Sequence, residues 1–273
     1  MKVKPSKFEG VFKINGKLAT INLVPGERVY GEELIKVKGI EYRIWDFWRS
    51  KPAAAIKKGL KVFPLEKGMK ILYLGIASGT TGSHFSDIIG REGIIYGLEI
   101  SERVLRELIP HAEKRGNIVP ILADARKPEE YENLILGKVD LVYEDIADPD
   151  QIKILVWNCE KFLKSNGYAM IAIKSQSIDV TKKPSEVYAE CLKELEKHFE
   201  ILDKVKLDPY EKAHLFVVLR KKIKKREKSL KIYWLDKAEY PFLANPIHSI
   251  LQSIPILKQA DIYLSNLLHV PQP

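Results

Sequence analysis

Apolar runs in the middle of the chain alternate with segments of helical periodicity. The runs after residue 69 are apolar at successive positions, which is typical of strands buried on both faces of a parallel sheet. We predict strands at residues 70–75, 94–99, 118–122, 139–144, 168–174 and 213–220. The segments between and beside them predict helices at residues 80–90, 101–115, 128–135, 149–164 and 184–198. This alternation predicts an α/β fold with a doubly wound sheet.

The first 50 residues follow a different pattern. Short apolar-rich runs occupy residues 10–14, 19–24 and 41–47, and Asn15-Gly16 lies between the first two. An Asn-Gly pair between such runs is a strong signal for a two-residue hairpin turn. We therefore predict a small antiparallel β domain over residues 1–50. Pro52 then suits the first turn of a helix, which would open a second domain over residues 51–220.

Composition narrows the class of protein. The chain has 273 residues, of which 45% are hydrophobic and 30% charged, so it can bury a sizeable core. No run approaches the roughly 18 apolar residues that a membrane span needs, and the opening MKVKPSKFEG does not read as a signal peptide. Cys159 and Cys191 lie in apolar surroundings and predict buried thiols. We expect a cytoplasmic protein.

The net charge of +9 is unevenly distributed. The segment Arg220–Lys228 holds seven cations and one anion, a net +6, whereas residues 229–273 balance at zero. Such a run is either a solvated linker or a contact for phosphates. We predict residues 221–273 to be a basic linker and a C-terminal extension of unknown role.

The first predicted strand of the parallel sheet ends in a loop of small residues. Gly75 closes the strand, residues 77–82 read ASGTTG, and Glu99 ends the next strand 24 residues after Gly75. Small residues let a backbone approach a ligand closely, and a carboxylate accepts hydrogen bonds from ribose hydroxyls. The dinucleotide fingerprint and the Gly-Lys-Ser/Thr of a Walker loop are both missing. The pattern favours a nucleoside without phosphates, commonly S-adenosylmethionine, over a purely structural turn.

Ionisable side chains follow the successive strands of the predicted sheet. Glu99, Asp124, Asp145 and Lys174 lie at or just after four strand ends. Because the carboxyl ends of parallel strands meet at one edge of the sheet, we expect these groups to surround one ligand.

Four residues are candidates for catalysis: Lys51, Asp145, Lys174 and His214. A carboxylate flanked by ammonium groups can orient a ribose 2′-hydroxyl and lower its effective pKa as a methyl group arrives. Each residue also has a structural interpretation, as a helix cap, an ion pair or a core histidine.

The remaining histidines show no ligand spacing, so no metal site is predicted. We place His84 in the loop after the glycine-rich turn, in a structural role. The others are His111, His198, His248 and His269.

Long motifs in the chain resemble fibrillarin in its archaeal form, over about residues 8–220. They are RIWDFWRSKPAAAI, ILYLGIASGTTGSHFSDIIG, IIYGLEIS, NIVPILADARKPEEY, VDLVYEDIADPDQ, YAMIAIKSQSIDVT and LDPYEKAHLFVV. The resemblance implies a Rossmann-like, S-adenosylmethionine-dependent RNA ribose 2′-O-methyltransferase with a small N-terminal β domain. It assigns the four catalytic candidates above to the family's catalytic positions. Together with the loop, it predicts cofactor contacts at Gly75, Ala77, Ser78, Gly79, Thr80, Thr81, Glu99, Ile100, Asp124, Ala125, Asp145, Ile146, Ala147, Asp148 and Gln151.

The resemblance also implies partners. Such enzymes act in box C/D ribonucleoproteins, where a guide RNA pairs with the target rRNA or tRNA. A Nop5/Nop56-type scaffold recruits the enzyme, and an L7Ae-type protein binds the kink-turn of the guide. Two alternatives stay open: a small-molecule methyltransferase of the same fold, with residues 229–273 as its lid, and a non-catalytic assembly module.

Three positions depart from the family pattern. Asp148 stands where the family usually has Gln, Ala213 where it has an acid, and Ser175-Gln176 where it has Ala-Arg. Asp148 adds a negative charge near the cofactor, and the loss of Arg removes a cation near the RNA. We expect reduced but retained activity.

Overall fold

The N-terminal part of the chain forms a five-stranded antiparallel sheet in a computed structural model that describes residues 2–222. Its strands, in the order β1-β2-β3-β5-β4, are β1 (Val3–Pro5), β2 (Val11–Ile14), β3 (Lys17–Ile21), β4 (Leu34–Val37) and β5 (Ile40–Ile44). Ile14 pairs with Lys17, so Asn15 and Gly16 form the predicted turn. Their φ values of 50° and 80° are the positive values that a type I′ turn requires.

The second sheet has seven strands and carries the candidate site. They are β6 (Lys70–Leu74), β7 (Ile94–Glu99), β8 (Ile118–Leu122), β9 (Val139–Glu144), β10 (Leu163–Lys174), β11 (Phe199–Lys206) and β12 (His214–Lys221). Their order is β11-β12-β10-β9-β6-β7-β8, with β6 to β10 parallel to their neighbours among themselves and β12 antiparallel to both β10 and β11. The strand order reverses at β6, between β9 and β7. Ligands bind at such switch points, outside the carboxyl ends of the strands.

Helices cover both faces of this sheet. They are α1 (Lys51–Lys57), α2 (Thr80–Ile89), α3 (Glu102–Arg115), α4 (Gln151–Phe162), α5 (Ser175–Ile178) and α6 (Pro184–His198). Ala54, Phe85 and Leu108 of α1, α2 and α3 belong to one buried core. Leu155 of α4 and Leu195 of α6 belong to a second core. The predicted doubly wound α/β fold is confirmed, since the strands are buried on both faces.

Several predicted elements differ from the structure. Residues 128–135 hold only a short 3-10 helix, Glu132–Leu134, because a turn at Lys127–Glu130 precedes it. The helix predicted at 149–164 ends at Phe162, since Leu163 already pairs with Val139 of β9.

The N-terminal runs also shift. The run at 19–24 ends as a strand at Ile21, since the Asn22 side chain accepts a hydrogen bond from Val24 N in a turn. The run at 41–47 is a strand only to Ile44.

Strand β11 is absent from the sequence-based prediction. It reads FEILDKVK, and its exposed positions include Glu200, Lys204 and Lys206. The strand pairs with β12 alone and forms an edge of the sheet, where charged side chains deter pairing with other chains. An edge strand of this kind lacks the continuous apolar run that identified the buried strands.

A buried charge cluster joins the N-terminal sheet to helix α2. Asp87 accepts hydrogen bonds from Arg43 Nη1 at 2.8 Å, Arg115 Nη1 at 2.7 Å, Thr20 Oγ1 at 2.7 Å and Leu23 N at 3.0 Å. The side chains of Arg43 and Asp87 are fully buried. The cluster fixes the orientation of the N-terminal sheet because each of these hydrogen bonds has a defined direction.

His84 lies in helix α2, not in the preceding loop as predicted. It is fully buried and stacks on Trp45 with ring centroids 5.1 Å apart. Its two ring nitrogens lie 2.8 Å from the hydroxyls of Thr20 and Tyr30. Burial, and then the charge of Arg43, lower the pKa of His84 well below its usual value, so the ring is neutral.

Within residues 2–222, no helix is both long and apolar enough to cross a bilayer. The basic run from residue 223 onward, His248, His269 and the remaining predictions for residues 229–273 lie outside the described residues. The division into domains at residues 50 and 220 stays a prediction.

Candidate active site

A cavity of about 410 Å³ lies at the carboxyl edge of β6 to β10, within the usual size range of small-molecule sites. All four predicted strand-end groups line it: Glu99, Asp124, Asp145 and Lys174. The other lining residues are Gly75, Ala77, Leu98, Ile100, Ala123, Ala125, Arg126, Ile146, Ala147, Asp148 and Ile154.

In the lining of the cavity, the backbone at Gly75 lies close to the backbone of Asp145 and Ile146. Gly75 has a φ of 81°, and a Cβ at this position would lie 2.9 Å from Cγ2 of Ile146 and 3.1 Å from the carbonyl oxygen of Asp145. Both the positive φ and the lack of space therefore require glycine. The loop is tied to the next strand, since the backbone N–H groups of Gly75 and Ile76 donate to the Leu98 carbonyl at 2.9 and 3.0 Å.

Glu99 is held in one orientation at the end of β7. Its Oε2 accepts from the Ala77 backbone N–H at 3.1 Å, and its Oε1 accepts from the Ser101 backbone N–H at 2.9 Å. Each carboxylate oxygen can accept a further hydrogen bond, so the fixed side chain can still bind two hydroxyl donors.

Two further carboxylates share one cation. Arg126 Nε and Nη2 donate to Asp124 at 2.9 Å (Oδ1) and 2.8 Å (Oδ2), and Nη1 lies 3.8 Å from Asp148 Oδ2. These hydrogen bonds lower the pKa of Asp124. Sequence reasoning missed Arg126, although its place two residues after a strand-end aspartate was a signal. The guanidinium of Arg126 therefore partly balances the negative charge that Asp148 adds to the site.

Asp145 lies between two lysines. Its Oδ2 is 3.0 Å from Lys51 Nζ, and its Oδ1 is 2.9 Å from Lys174 Nζ. Lys174 Nζ also donates to the Asp145 backbone carbonyl at 2.9 Å. Oδ1 is buried and accepts no hydrogen bond from residues 2–222, because the Lys174 contact has the distance of an ion pair without the direction of a hydrogen bond. The Asp145 side chain is 12% exposed and lines the cavity, so a substrate hydroxyl can approach the carboxylate.

His214 lies beside this group without a described contact to Asp145. It pairs with Lys174 across β12 and β10, and its Nδ1 lies 2.7 Å from the Lys212 carbonyl oxygen. The neighbouring Ala213 has a φ of 59°, and its carbonyl accepts from Ser175 N and Oγ at 3.2 and 3.0 Å. The structure therefore brings Lys51, Asp145 and Lys174 together and places His214 next to them.

Five predicted cofactor residues do not line the described cavity: Ser78, Gly79, Thr80, Thr81 and Gln151. The reason at the loop is that Gly79 already caps helix α2, so the following residues turn away with the helix. Thr81 Oγ1 donates to Ser50 Oγ at 2.9 Å. Gln151 is fully buried, and its Oε1 accepts from the Lys174 backbone N–H at 3.2 Å. Direct contact of these residues with a cofactor stays a prediction.

Glu144 is a buried acid directly before Asp145. Neither of its carboxyl oxygens has a hydrogen-bond partner within residues 2–222. Burial raises the pKa of Glu144 well above its usual value, so the side chain keeps its proton. The end of β9 thus presents two adjacent acids, of which only Asp145 contacts the lysines Lys51 and Lys174.

Glu144→Gln is expected to change how stability depends on pH. A glutamate in the unfolded chain loses its proton at about pH 4.3, whereas folded Glu144 retains its proton to higher pH. The wild-type free energy of unfolding therefore falls as pH rises through the interval between these pKa values. Glutamine has no such proton. In urea unfolding from pH 4 to pH 8, the free energy of unfolding of the variant should therefore increase relative to that of wild type as pH rises. A stability difference independent of pH would contradict this.

Comparisons with known proteins show the family of this chain. A sequence model of the Fibrillarin family matches residues 3–223. The fibrillarin-like rRNA/tRNA 2′-O-methyltransferase of Thermococcus sibiricus is 58% identical over 226 residues, covering 81% of this chain and 100% of the relative. No metal cluster of His, Cys, Asp or Glu occurs among residues 2–222.

Two solved structures are similar over nearly their whole length. Aeropyrum pernix fibrillarin, solved with natively bound S-adenosyl-L-methionine, has a TM-score of 0.74 and 48% identity, covering 80% of this chain and 98% of that chain. Fibrillarin from a fibrillarin/Nop5p complex has a TM-score of 0.73 and 42% identity, covering 78% and 98%. The predicted resemblance is confirmed by the extent of these matches, and the chain belongs to the fibrillarin family.

Proposed function

We propose that this protein transfers the methyl group of S-adenosylmethionine to a ribose 2′-hydroxyl of rRNA or tRNA. The observation that carries the proposal is Asp145, held between Lys51 and Lys174 at the mouth of a nucleoside-sized cavity. The Asp145 side chain is 12% exposed, so a substrate hydroxyl can approach the carboxylate. The Thermococcus sibiricus relative carries the same activity in its name.

The residues of the cavity fit this cofactor. Gly75 lets the loop backbone pack closely against Ile146 and Asp145. Glu99 offers two fixed acceptors for the ribose hydroxyls, and Asp124 adds further acceptors to the lining. Ile100, Ala125 and Ile146 supply apolar lining. When bound, S-adenosylmethionine supplies an electrophilic methyl group on a positively charged sulfur.

Asp145 would act on the hydroxyl that receives the methyl group. The carboxylate would accept the hydroxyl proton, which turns the lone pair of the oxygen toward the incoming carbon. Lys51 and Lys174 hold the carboxylate in place and would stabilise negative charge that develops on the attacking oxygen. The proton would pass to Asp145 as the new C–O bond forms and the methyl–sulfur bond of the cofactor breaks, which leaves a neutral thioether.

Guide and scaffold partners complete the proposal. The similarity to fibrillarin solved with Nop5p supports recruitment by a Nop5/Nop56-type scaffold. A box C/D guide RNA would select the target by base pairing, which leaves the protein to read RNA shape and the 2′-hydroxyl. An L7Ae-type protein would enter the complex through the guide, and the whole complex would work in the cytoplasm.

The Arg126–Asp148 contact should set the preference for cofactor over product. The sulfonium carries a positive charge that the demethylated product lacks, so negative charge in the cavity favours the cofactor. Arg126→Ala leaves Asp124 and Asp148 unneutralised and should raise the ratio of product Kd to cofactor Kd about twofold. Asp148→Gln should lower it. Titration calorimetry of both ligands measures the ratio, and equal ratios in both variants would contradict this.

A choice of acceptors tests the proposed reaction. The protein, assembled with scaffold, kink-turn protein and guide, is supplied with labelled S-adenosylmethionine and either target RNA or a pool of small metabolites. The proposal predicts label in RNA alone. Label in metabolites would favour the small-molecule alternative, whereas cofactor binding with label in neither would favour the assembly module.

A further inference from the structure

An exposed aromatic surface lies beside the candidate active site. It consists of Phe47, Trp48 and Tyr210, which we call the aromatic ledge. Trp48 is 55% exposed. The Tyr210 ring is centred 4.8 Å from Phe47 and 4.9 Å from Trp48, in edge-to-face contacts. Tyr210 and Phe47 thus hold the indole in place while more than half of Trp48 faces solvent. An exposed tryptophan supported in this way is typical of a contact surface.

The ledge is continuous with the lysines around Asp145. Trp48 precedes Lys51 by three residues, at the start of α1. Tyr210 lies in the loop between β11 and β12, next to Glu211, whose Oε1 is 4.0 Å from Lys51 Nζ. The ledge is therefore within reach of a polymer whose hydroxyl contacts Asp145.

The charges around the ledge complement phosphates. Exposed cations flank it at Arg49, Lys57, Lys58 and Lys212, against the acids Asp46, Asp208 and Glu211. Lys57 Nζ lies 5.4 Å from the Phe47 ring. Aromatic faces interleaved with cations suit RNA, which presents riboses and bases between regularly spaced phosphates.

We propose that the aromatic ledge packs against the target RNA next to the methylated nucleotide, with Trp48 on the riboses of the minor groove of the guide–target duplex. The wide, shallow minor groove of A-form RNA displays the 2′-hydroxyls, so an RNA presented to Asp145 turns this groove to the ledge. Trp48 is then a positioning residue, which holds the duplex so that one hydroxyl reaches Asp145. This inference rests on the proposed function.

The test compares Trp48→Ala with two controls in the assembled guide complex. Trp48→Phe keeps an aromatic ring, and Trp157→Ala removes an indole of similar exposure, 45%, from α4. Hydroxyl-radical footprinting of the target strand reports ribose contacts without turnover. Single-turnover methyl transfer at saturating cofactor reports positioning, and cofactor Kd reports an intact fold.

Trp48→Ala is expected to lose ribose protection beside the target nucleotide and to slow methyl transfer about fivefold to tenfold, the order of one lost aromatic contact. Cofactor Kd should not change, Trp48→Phe should recover most of both signals, and Trp157→Ala should keep both. Unchanged protection in Trp48→Ala would overturn the inference, and failure of that variant to bind the scaffold would assign the ledge to a protein partner. Wild type that protects riboses but transfers no methyl group would instead refute the proposed function alone.

Discussion

Asp145→Asn is expected to slow methyl transfer by a factor of about 10² to 10⁴, the usual contribution of a positioned acid or base. Asparagine keeps the size of the side chain but cannot take the hydroxyl proton. It also leaves Lys51 and Lys174, at 3.0 and 2.9 Å, without their anionic partner. The single-turnover rate at saturating cofactor measures the effect, since it excludes product release.

Asp140→Asn is a matched control for this experiment. Asp140 lies on the same strand β9, at the opposite end, and also pairs with a lysine, Lys164. Asp140→Asn should leave the rate of methyl transfer unchanged. Cofactor Kd should rise only modestly in Asp145→Asn, because this carboxylate is one of several negative charges that line the cavity. A rate within about threefold of wild type would remove Asp145 from the mechanism.

Asp87→Asn is expected to lower the free energy of unfolding by about 3–5 kcal/mol, the typical cost of breaking a buried ion pair. The substitution leaves the positive charges of Arg43 and Arg115 without their shared anion, and all three side chains are at most 2% exposed. Because the cluster joins the N-terminal sheet to α2, the destabilisation should extend to the contact between them. Urea unfolding measures the change.

An exposed ion pair gives the comparison for Asp87. Asp179 lies 3.8 Å from Lys182, in a loop where both side chains are at least 30% exposed. Asp179→Asn should lower the free energy of unfolding far less than Asp87→Asn, because solvent screens such pairs. Equal losses of unfolding free energy in the two variants would show that the buried cluster stabilises the fold no more than an exposed ion pair does.

The fold was predictable where burial imposes a simple pattern. Strands β6, β7 and β9 are apolar because they are largely buried, and strands β6 to β9 were located within one residue. Strand β11 was missed because an edge strand needs no such run. The helix over 128–135 failed because local turn hydrogen bonds replaced the helical ones.

The site was predictable where strand ends define it. Glu99, Asp124, Asp145 and Lys174 follow from the rule that parallel strands meet their ligands at one edge, and all four line the cavity. Lys51 is different, since 94 residues separate it from Asp145 and no spacing rule links them. Spacing alone could not predict that Lys51 contacts Asp145.

The departures from the family pattern gain physical meaning in the structure. Asp148 lies 3.8 Å from Arg126, so the added charge is partly balanced within the cavity. At Ala213 the backbone carbonyl, not a side chain, holds Ser175. We expect methyl-transfer activity to be retained, because the Arg126–Asp148 and Ser175–Ala213 contacts compensate for these departures. The methyl-transfer rate of wild type, compared with that of a typical family member, measures how much activity is retained.

The most direct test of the account is the position of the transferred methyl group. Wild type and Asp145→Ala are assembled with scaffold, kink-turn protein, guide and target RNA, and labelled S-adenosylmethionine is added. The account predicts one labelled 2′-hydroxyl, at the nucleotide selected by the guide, in wild type and no label in the variant. Cofactor binding and full assembly without label in wild type, or label on a base instead of a ribose, would contradict it.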